Sequence, residues 1–289
     1  MFLTNDWADY EIIDAGDGFK LERWEDVILQ RPDPQVIWTK ADKSLWQNAD
    51  AVYSRSDSGG GNWNFLKNIP EKWIVKYKNY LFYVRPTGFK HTGLFPEQAS
   101  NWDFMVDSIK NFKGENRPKI LNLFGYTGGA TVALTANGAH VTHVDAAKGM
   151  VQWAKENIEL NNIPSSNTRY IIEDAKRFVM REIRRGSQYD GIVLDPPSYG
   201  RGPNGELWKL EEELQPLIAL CAQLLSTNAC FLVLNGYTTG FSQSVLGNII
   251  LREVQAKFGG KIVADELCLP ITAGGFLPCG TTARWTPNQ

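Results

Sequence analysis

The feature that most constrains this chain is a regular alternation of apolar strands and amphipathic helices over residues 119–195. Short apolar runs predict strands at Lys119–Phe124, His140–Asp145, Thr168–Ile172 and Gly191–Asp195. Helical spacing predicts helices between them at Ala130–Asn137, Lys148–Asn161 and Ala175–Arg185. Strands that alternate with helices of this length call for a mostly parallel sheet with helices on both faces. The sequence therefore predicts a doubly wound α/β domain.

The second half of the chain continues this pattern and then changes it. We expect a helix over Glu211–Leu225, a buried strand over Ala229–Leu234 and a further helix over Ser242–Phe258. The last two predicted strands, Lys261–Leu269 and Thr281–Trp285, are separated by a turn with Gly and Pro, which suits an antiparallel hairpin. The expected sheet is Rossmann-like, with seven strands, and this hairpin closes its edge.

The first 90 residues have a different character, because short β-like runs are broken there by turn residues. Tyr10–Asp14 and Phe19–Arg23 flank one turn, Trp73–Tyr77 and Tyr80–Arg85 flank another, and Gly59–Gly61 predicts a tight β-turn. Apolar spacing next predicts a helix over Gln98–Phe112. We therefore divide the chain into a small β-rich domain (1–90), a linker helix segment (91–117) and the doubly wound domain (118–289).

Composition and termini narrow the class of protein. A formal net charge of −2 argues against a protein that grips nucleic acid over its whole surface. The apolar stretches are too short to span a membrane, and residues 1–6 carry no secretory signal, so we expect a cytoplasmic protein. The four cysteines form no C-x-x-C pair, which favours reduced thiols over a disulfide frame or a metal site.

Two features at strand ends indicate a nucleoside ligand. Gly125 and Gly128 follow the first strand of the series, and glycine allows a sharp turn and close approach of a ligand to the backbone. Asp145 closes the next strand, where a carboxylate can accept hydrogen bonds from both hydroxyls of a ribose. NAD and S-adenosylmethionine both satisfy these features, but the G-x-G-x-x-G order typical of NAD enzymes is absent.

The third and fourth strands end in further carboxylates. Asp174 and the N–H of Ala175 can meet an adenine edge, although a helix N-cap is the alternative role for Asp174. The fourth strand runs into Asp195-Pro196-Pro197, where two fixed φ angles and two missing N–H donors leave carbonyls and a carboxylate toward a pocket. Such a loop can accept a hydrogen bond from a substrate N–H while an aromatic side chain stacks on a base.

These motifs together resemble those of class I S-adenosylmethionine-dependent methyltransferases, and in particular the bacterial 23S ribosomal RNA large-subunit group. The resemblance is carried by Asn122–Gly129, Asp145, Asp174, Asp195–Tyr199 and a Thr-Gly-Leu-Phe-x-x-Gln segment at Thr92–Gln98. It covers residues 85–285. It implies an enzyme (EC 2.1.1.-) of ribosomal RNA processing that methylates a nucleobase.

The resemblance also assigns roles to residues of this chain. Phe95 and Gln98 would close over the cofactor, Phe124 to Thr127 would line its methionine end, Asp145 would hold the ribose, and Asp174 with Ala175 the adenine. The full set implied for S-adenosylmethionine is Thr92, Phe95, Gln98, Asn122, Phe124, Gly125, Tyr126, Thr127, Gly128, Asp145, Ala146, Asp174, Ala175 and Asp195. The acceptor would be faced by Asp195, Pro196, Pro197 and Tyr199.

Several alternatives stay open at this level. Methylation of cytosine C5 requires a cysteine nucleophile, and neither Asp195–Ser198 nor Leu234–Tyr237 contains one, so nitrogen is favoured. The acceptor can also be a protein or a small molecule, and a non-catalytic scaffold that binds cofactor or RNA is a further reading. His140 and His143 flank the second strand and are expected to be structural. No metal and no membrane partner is expected, and no pattern indicates an oligomeric state.

Overall fold

The computed structural model describes residues 1–56, 60–201, 207–238 and 240–288 of the 289-residue chain. Two compact units divide the chain. The large unit comprises Met1, 100–267 and 280–289, and the small unit comprises 2–99 and 268–279. The division predicted from the sequence, at 90 and 117, stays a prediction, and Gly59 of the predicted Gly59–Gly61 turn lies outside the described residues.

The small unit is built mainly from short β-strands. They are β1 (Phe2–Leu3), β2 (Tyr10–Gly16), β3 (Phe19–Trp24), β4 (Val27–Pro32), β5 (Ala51–Arg55), β6 (Gly61–Phe65), β7 (Trp73–Tyr77) and β8 (Tyr80–Val84). Strands β2 to β6 form a five-stranded sheet in chain order, and β7 pairs with β8 alone. The predicted hairpins β2–β3 and β7–β8 are confirmed as antiparallel pairs. Single 3-10 turns lie at Leu45–Asn48 and Pro96–Gln98.

The large unit alternates strands with helices, as the sequence predicts. Its helices are α1 (Ala99–Lys110), α2 (Gly129–Ala136), α3 (Lys148–Leu160), α4 (Ala175–Arg184), α5 (Leu210–Ala222), α6 (Gln243–Ile250) and α7 (Ala256–Phe258). Its strands are β9 (Lys119–Leu123), β10 (His140–Asp145), β11 (Thr168–Ile172), β12 (Gly191–Leu194), β13 (Tyr199–Arg201), β14 (Leu207–Lys209), β15 (Phe231–Gly236), β16 (Lys261–Pro270) and β17 (Phe276–Thr286).

One eight-stranded sheet has the strand order β1-β16-β17-β15-β12-β9-β10-β11. Strands β9, β10, β11, β12 and β15 pair in parallel, whereas β17 runs antiparallel to β15. Every residue of β12 and β15 is buried, as expected for central parallel strands that helices cover on both faces. The doubly wound fold with its C-terminal hairpin is therefore confirmed, and the two-residue β1 is one strand more than the seven predicted.

The structure adds local details that the sequence patterns did not give. The predicted helix over Ser242–Phe258 is interrupted by a π-helical turn at Leu251–Gln255 between α6 and α7. Strands β13 and β14 form a short antiparallel hairpin directly after the Asp195-Pro196-Pro197 loop. Within the described ranges, every helix is too short or too polar to cross a bilayer.

Candidate active site

Parallel pairing brings the predicted site segments of the large unit to one edge of the sheet. Leu123 at the end of β9 is the register partner of Val144 in β10 and of Leu194 in β12. Asp145 is paired with Ile172 at the end of β11. The loops that follow β9, β10, β11 and β12 therefore leave the same carboxyl edge, which is where doubly wound sheets bind ligands.

The loop after β9 is packed onto a buried histidine. A Cβ atom at Gly125 would lie 2.4 Å from Cε1 of His143, so only glycine fits there. The His143 ring is fully buried, its Nδ1 lies 2.9 Å from Oγ1 of Thr131, and burial lowers its pKa to about 4. Neutral His143 therefore supports the loop from below, in keeping with the structural role expected for it.

Packing inside the chain also accounts for the next glycine and for Asn122. Gly128 has φ +85°, and a Cβ atom there would lie 2.9 Å from Cβ of Ala154. Asn122 is buried and donates its amide N–H to Oγ1 of Thr131 at 2.9 Å. These two residues shape the loop, and their direct contact with a cofactor stays a prediction.

The same loop holds two non-glycine residues in the left-handed region of backbone space. Phe124 has φ +55° and Tyr126 has φ +50°, a conformation that costs about 1 kcal/mol or more for a side chain with Cβ. The turn points the N–H of Tyr126 at Oδ2 of Asp145, 2.9 Å away. On the other side, the carbonyl of buried Thr127 accepts a hydrogen bond from the Asn157 amide at 2.9 Å. The strained loop is thus fixed to both β10 and α3.

The hydrogen bonds of Asp145 show whether its carboxylate has acceptor positions left for a ribose. Its two carboxylate oxygens each accept one backbone N–H, from Tyr126 at 2.9 Å and from Ala147 at 2.8 Å. Burial nevertheless raises the pKa of Asp145, and the two N–H bonds offset this only in part. A carboxylate oxygen has about two acceptor positions, so each can take one more donor. Two ribose hydroxyls would supply these donors, and the residues therefore fit the group.

The exposed Ala146 and the start of α4 complete this side of the edge. Asp174 is the N-cap of α4, and its Oδ1 accepts the backbone N–H of Arg177 at 2.9 Å. The capping role considered for Asp174 is therefore present. Ala175 is buried in the first turn of the helix. Adenine binding by these residues remains a prediction, because the N-cap hydrogen bond occupies Oδ1 of Asp174 and says nothing about a ligand at Oδ2.

The loop after β12 is folded into the β13–β14 hairpin, which takes up part of its hydrogen-bonding capacity. The carbonyl of Pro197 accepts the indole N–H of Trp208 at 2.6 Å, and that of Ser198 accepts the N–H of Leu210 at 3.1 Å. Tyr199 is 57% exposed, which leaves its ring open for stacking. The Pro197 and Ser198 carbonyls are therefore engaged within the hairpin, and the acceptor contacts of Asp195, Pro196, Pro197 and Tyr199 stay a prediction.

Trp208 also connects this loop to the predicted cofactor loop. Its ring centroid lies 5.2 Å from that of Phe124, with the two planes inclined by 54°. The tryptophan is buried, and it is one member of the site that the sequence patterns did not predict. Strand β14 has three residues, which are too few to show the alternation of apolar and polar residues that predicts a strand. One signal was present, because a large aromatic within a polar, glycine-bearing segment needs a packing partner.

A hydrogen-bonded relay of half-buried Arg284 and buried Asn101 and Asn235 holds the end of β12. Arg284 donates to Oδ1 of Asn101 at 2.8 Å, Asn101 donates to Oδ1 of Asn235 at 2.9 Å, and Asn235 donates to the Leu194 carbonyl at 3.3 Å. Burial lowers the pKa of Arg284 to about 10. The residue before Asp195 is therefore anchored by an amide pair that the linear sequence does not reveal.

Three predicted cofactor residues belong to the small unit. Thr92 is fully buried, and its Oγ1 has no hydrogen-bond partner among the residues that the structure describes. Leaving a buried hydroxyl unbonded costs about 1–3 kcal/mol, so Thr92 retains capacity for a ligand. Gln98 is buried in the turn that starts after Phe95, whose ring lies 5.4 Å from that of His91. The closing of Phe95 and Gln98 over the cofactor stays a prediction.

The two cysteines of the large unit, Cys221 and Cys230, are shielded or lie away from the Asp195 edge. Cys221 is fully buried, and Cys230 precedes β15 at the amino edge of the sheet, opposite the edge that carries Asp195. Burial raises the pKa of the Cys230 thiol to about 12. Over the described ranges, no group of three His, Cys, Asp or Glu side chains could hold a metal ion.

The fold and the site define a class of protein. A doubly wound sheet with an antiparallel final hairpin, a glycine turn after its first strand and a carboxylate after its second is the arrangement expected of class I methyltransferases. In agreement, a sequence model described as S-adenosylmethionine-dependent methyltransferase matches residues 69–249, more than half of the chain. This protein belongs to the S-adenosylmethionine-dependent methyltransferase family.

Individual relatives give the same family. The ribosomal RNA large subunit methyltransferase K/L of Syntrophotalea carbinolica is 29% identical over 185 residues, which are 63% of this chain and 25% of that protein. Its namesake from Shewanella oneidensis is 32% identical over 213 residues, which are 71% of this chain and 27% of that protein. The chain therefore spans about a quarter of the length of these two relatives.

Solved structures extend the similarity to the whole chain. The S-adenosylmethionine-dependent methyltransferase from Agrobacterium tumefaciens is 37% identical with a TM-score of 0.93, covering 99% of this chain and 93% of that one. A second such methyltransferase, from Streptococcus mutans, shares the fold at 17% identity, with a TM-score of 0.71 over 98% of this chain and 76% of that one. The similarity to the Agrobacterium structure includes the β-rich small unit.

Proposed function

We propose that this protein transfers a methyl group from S-adenosylmethionine to a nucleobase of ribosomal RNA, at a nitrogen atom. The observation that carries the proposal is the alignment of Asp145 and the Asp195-Pro196-Pro197 loop. They follow strands on either side of β9, at the same sheet edge. This arrangement supports ribose binding by Asp145 and acceptor binding by the Asp195 loop, on the two flanks of one glycine turn.

When it is bound, the sulfonium of S-adenosylmethionine supplies an electrophilic methyl group, so the protein must mainly orient the two reactants. Asp145 would hold the ribose through its free acceptor positions, and the Phe124–Tyr126 loop would line the methionine end. Asp195 and the Pro196 carbonyl would accept the N–H of an exocyclic amine and so direct the nitrogen lone pair toward the methyl group. Exposed Tyr199 would stack on a base that has left its helix.

The positions of the cysteines support nitrogen over cytosine C5. Attack at C5 needs a thiolate that adds to the ring. Cys221 is in the buried face of α5, and Cys230 lies at the opposite edge of the sheet from Asp195. Among the described residues of the large unit, these are the two cysteines, and burial raises the pKa of both.

Two further points support RNA as the acceptor. The curated relatives quoted above are named for ribosomal RNA, and the sequence match with them covers 63% and 71% of this chain. The Asp195 loop pairs hydrogen-bond acceptors with an exposed aromatic ring, which suits a flipped base better than a flexible aliphatic amine. We further propose a cytoplasmic location, where ribosomal RNA would be met.

The cofactor is tested by calorimetric titration with S-adenosylmethionine and, separately, with NAD. We expect binding of S-adenosylmethionine alone, and its loss in Asp145→Ala. The acceptor is tested by incubating the protein with methyl-tritiated S-adenosylmethionine and unmodified ribosomal RNA transcribed in vitro. Digestion to nucleosides and mass spectrometry then identify the methylated base.

The matched control is Tyr199→Phe, which keeps the aromatic face, beside Asp195→Ala, which removes the proposed hydrogen-bond acceptor. We expect methyl transfer to RNA to persist in Tyr199→Phe and to fall at least about a hundredfold in Asp195→Ala. Label that enters protein or small molecules but not RNA would refute the nucleobase. Binding of neither S-adenosylmethionine nor NAD would refute the proposed methyl transfer altogether.

A further inference from the structure

The small unit carries a group of basic side chains on one face of its five-stranded sheet. Lys20 and Arg31 are register partners on β3 and β4. The pairing of Leu29 with Ala51 and of Tyr53 with Trp63 places Arg31, Tyr53, Trp63 and Arg55 on that same face, because alternate residues of a strand share a face. A row of cations thus crosses the sheet from β3 to β5.

A loop of residues 86–91, here the Phe89 loop, is fixed above this face. Arg31 donates to the Lys90 carbonyl at 2.9 Å, and the indole N–H of Trp63 donates to the Thr87 carbonyl at 2.8 Å. Within the loop, Oγ1 of Thr87 accepts the N–H of Phe89 at 3.3 Å and donates to the His91 carbonyl at 2.8 Å. The loop is therefore ordered from both ends and from below.

This ordered loop presents an apolar ring to solvent. Phe89 is 67% exposed, although its backbone is held in place. A scattered exposed aromatic is ordinary, but an ordered one next to cations is the combination that single-strand nucleic-acid sites use, with rings for bases and cations for phosphates.

The charges beside Phe89 are only partly balanced. Glu22 takes up Arg31 through a two-pronged ion pair of 2.5 and 2.7 Å, and Asp33 lies 3.6 Å from Lys20. Among the described residues, Lys90 and Arg55 form no ion pair. Burial and the charges of Lys20, Arg31 and Arg55 lower the pKa of Lys90 to about 8, despite the opposing effect of Asp33. An anion at this place would relieve that repulsion.

We propose that Arg55, Phe89 and Lys90 bind an unpaired segment of the RNA substrate. Phe89 stacks on one base, and the two cations contact the neighbouring phosphates. That the bound RNA is the substrate of the enzyme rests on the proposed function. The binding surface itself depends only on the small unit and can be measured without methyl transfer.

The test uses the full chain and a fluorescein-labelled, single-stranded oligouridylate of about ten nucleotides, a length within the range that single-strand binding folds cover. Fluorescence anisotropy gives the dissociation constant at several salt concentrations. We expect Phe89→Ala to weaken binding by about five- to tenfold, the lower end of base stacking, and Phe89→Tyr to keep it. Because Phe89 is mainly exposed, the unfolding midpoint of both variants should match that of the wild type.

The cations are tested by the salt dependence. Each lost phosphate contact reduces the slope of log K against log salt by about 0.7 for a single strand, so Lys90→Ala and Arg55→Ala should each do so. Lys43→Ala, an exposed lysine of the same unit, is the matched control and should change nothing. Unchanged slopes in the first two variants overturn the proposal.

Further arms separate the possible failures. Equal binding of Phe89→Ala and wild type, or a duplex of the same length that binds as tightly as the single strand, overturns the stacking site. RNA that is methylated without any dependence on Phe89 overturns this inference and leaves the proposed function standing. Phe89-dependent binding in a protein that methylates only proteins leaves the surface standing and overturns the proposed function.

Discussion

Replacing Gly125 by alanine tests the packing beneath the cofactor loop. The added Cβ atom would lie 2.4 Å from Cε1 and 2.5 Å from Nδ1 of His143, well inside van der Waals contact. The imidazole cannot easily move away, because it is fully buried and Nδ1 is engaged with Thr131 at 2.9 Å. Overpacking of this kind costs about 1–3 kcal/mol of unfolding free energy.

The consequence should reach the cofactor through Asp145. If the loop rises to make room for the methyl group, the N–H of Tyr126 leaves Oδ2 of Asp145, which it now approaches to 2.9 Å. We therefore expect Gly125→Ala to lose about 1–3 kcal/mol in urea denaturation. We also expect S-adenosylmethionine to bind Gly125→Ala about tenfold more weakly in calorimetry, which corresponds to a loss of about 1.4 kcal/mol of binding free energy.

A second substitution identifies the cause. His143→Ala removes the ring that the new methyl group meets. The double variant Gly125→Ala/His143→Ala should therefore lose about 1–2 kcal/mol less unfolding free energy than the two single variants lose together. Gly149→Ala is the control, because that helical glycine has open space around its Cβ position and should be neutral or slightly stabilising. Wild-type stability and affinity in Gly125→Ala, or strictly additive losses in the double variant, would refute the reasoning.

Three other variants test the two units. Asp145→Asn should weaken S-adenosylmethionine binding about tenfold or more in calorimetry, and wild-type binding should weaken as the pH falls, because protonation through the raised pKa of Asp145 removes its charge. Trp208→Phe keeps a ring beside Phe124 but removes the N–H on Pro197, so methyl transfer should slow about tenfold with cofactor affinity retained. Lys90→Met should raise the unfolding free energy by about 1 kcal/mol at pH 7, after allowance for solvent screening, because it removes a charge that folding partly buries. The gain should shrink between pH 8 and pH 10, because folded wild-type protein then holds Lys90 without its proton and no longer buries that charge. Urea denaturation of wild type and Lys90→Met at pH 7 and at pH 10 checks this last result.

The parts of the fold that were predictable are those in which two local signals agree. Strands β9 to β12 combine short apolar runs with polar or glycine residues at their ends, and the parallel pairing then follows from the helices between them. The same logic predicts that Asp145, Asp174 and Asp195 lie at one edge of the sheet. The N-cap alternative for Asp174 was visible too, because the residue directly precedes a helical pattern.

The remaining features depend on pairing between distant segments. His143 is on the same face of β10 as Asp145, two residues away, but nothing in the chain indicates that it lies under Gly125. Trp208 acquires its role only when β14 folds back on β13. The asparagine relay links residues 101, 235 and 284, and the surface around Lys90 links three separate segments of the small unit. Local periodicity cannot predict contacts of this range.

Three charged side chains, the buried Glu22 and the half-buried Asp145 and Lys90, differ in how their surroundings compensate for lost hydration. Glu22 is fully buried, yet its pKa is lowered to about 2, because Arg31 and Lys20 more than offset the cost of burial. Asp145 and Lys90 show the opposite result, since burial shifts the pKa of each toward its neutral form. Their own surroundings therefore leave both charged forms under-stabilised. Hydroxyl donors at Asp145 and phosphates at Lys90 would supply the missing compensation, which agrees with the geometric arguments for ligands at these two places.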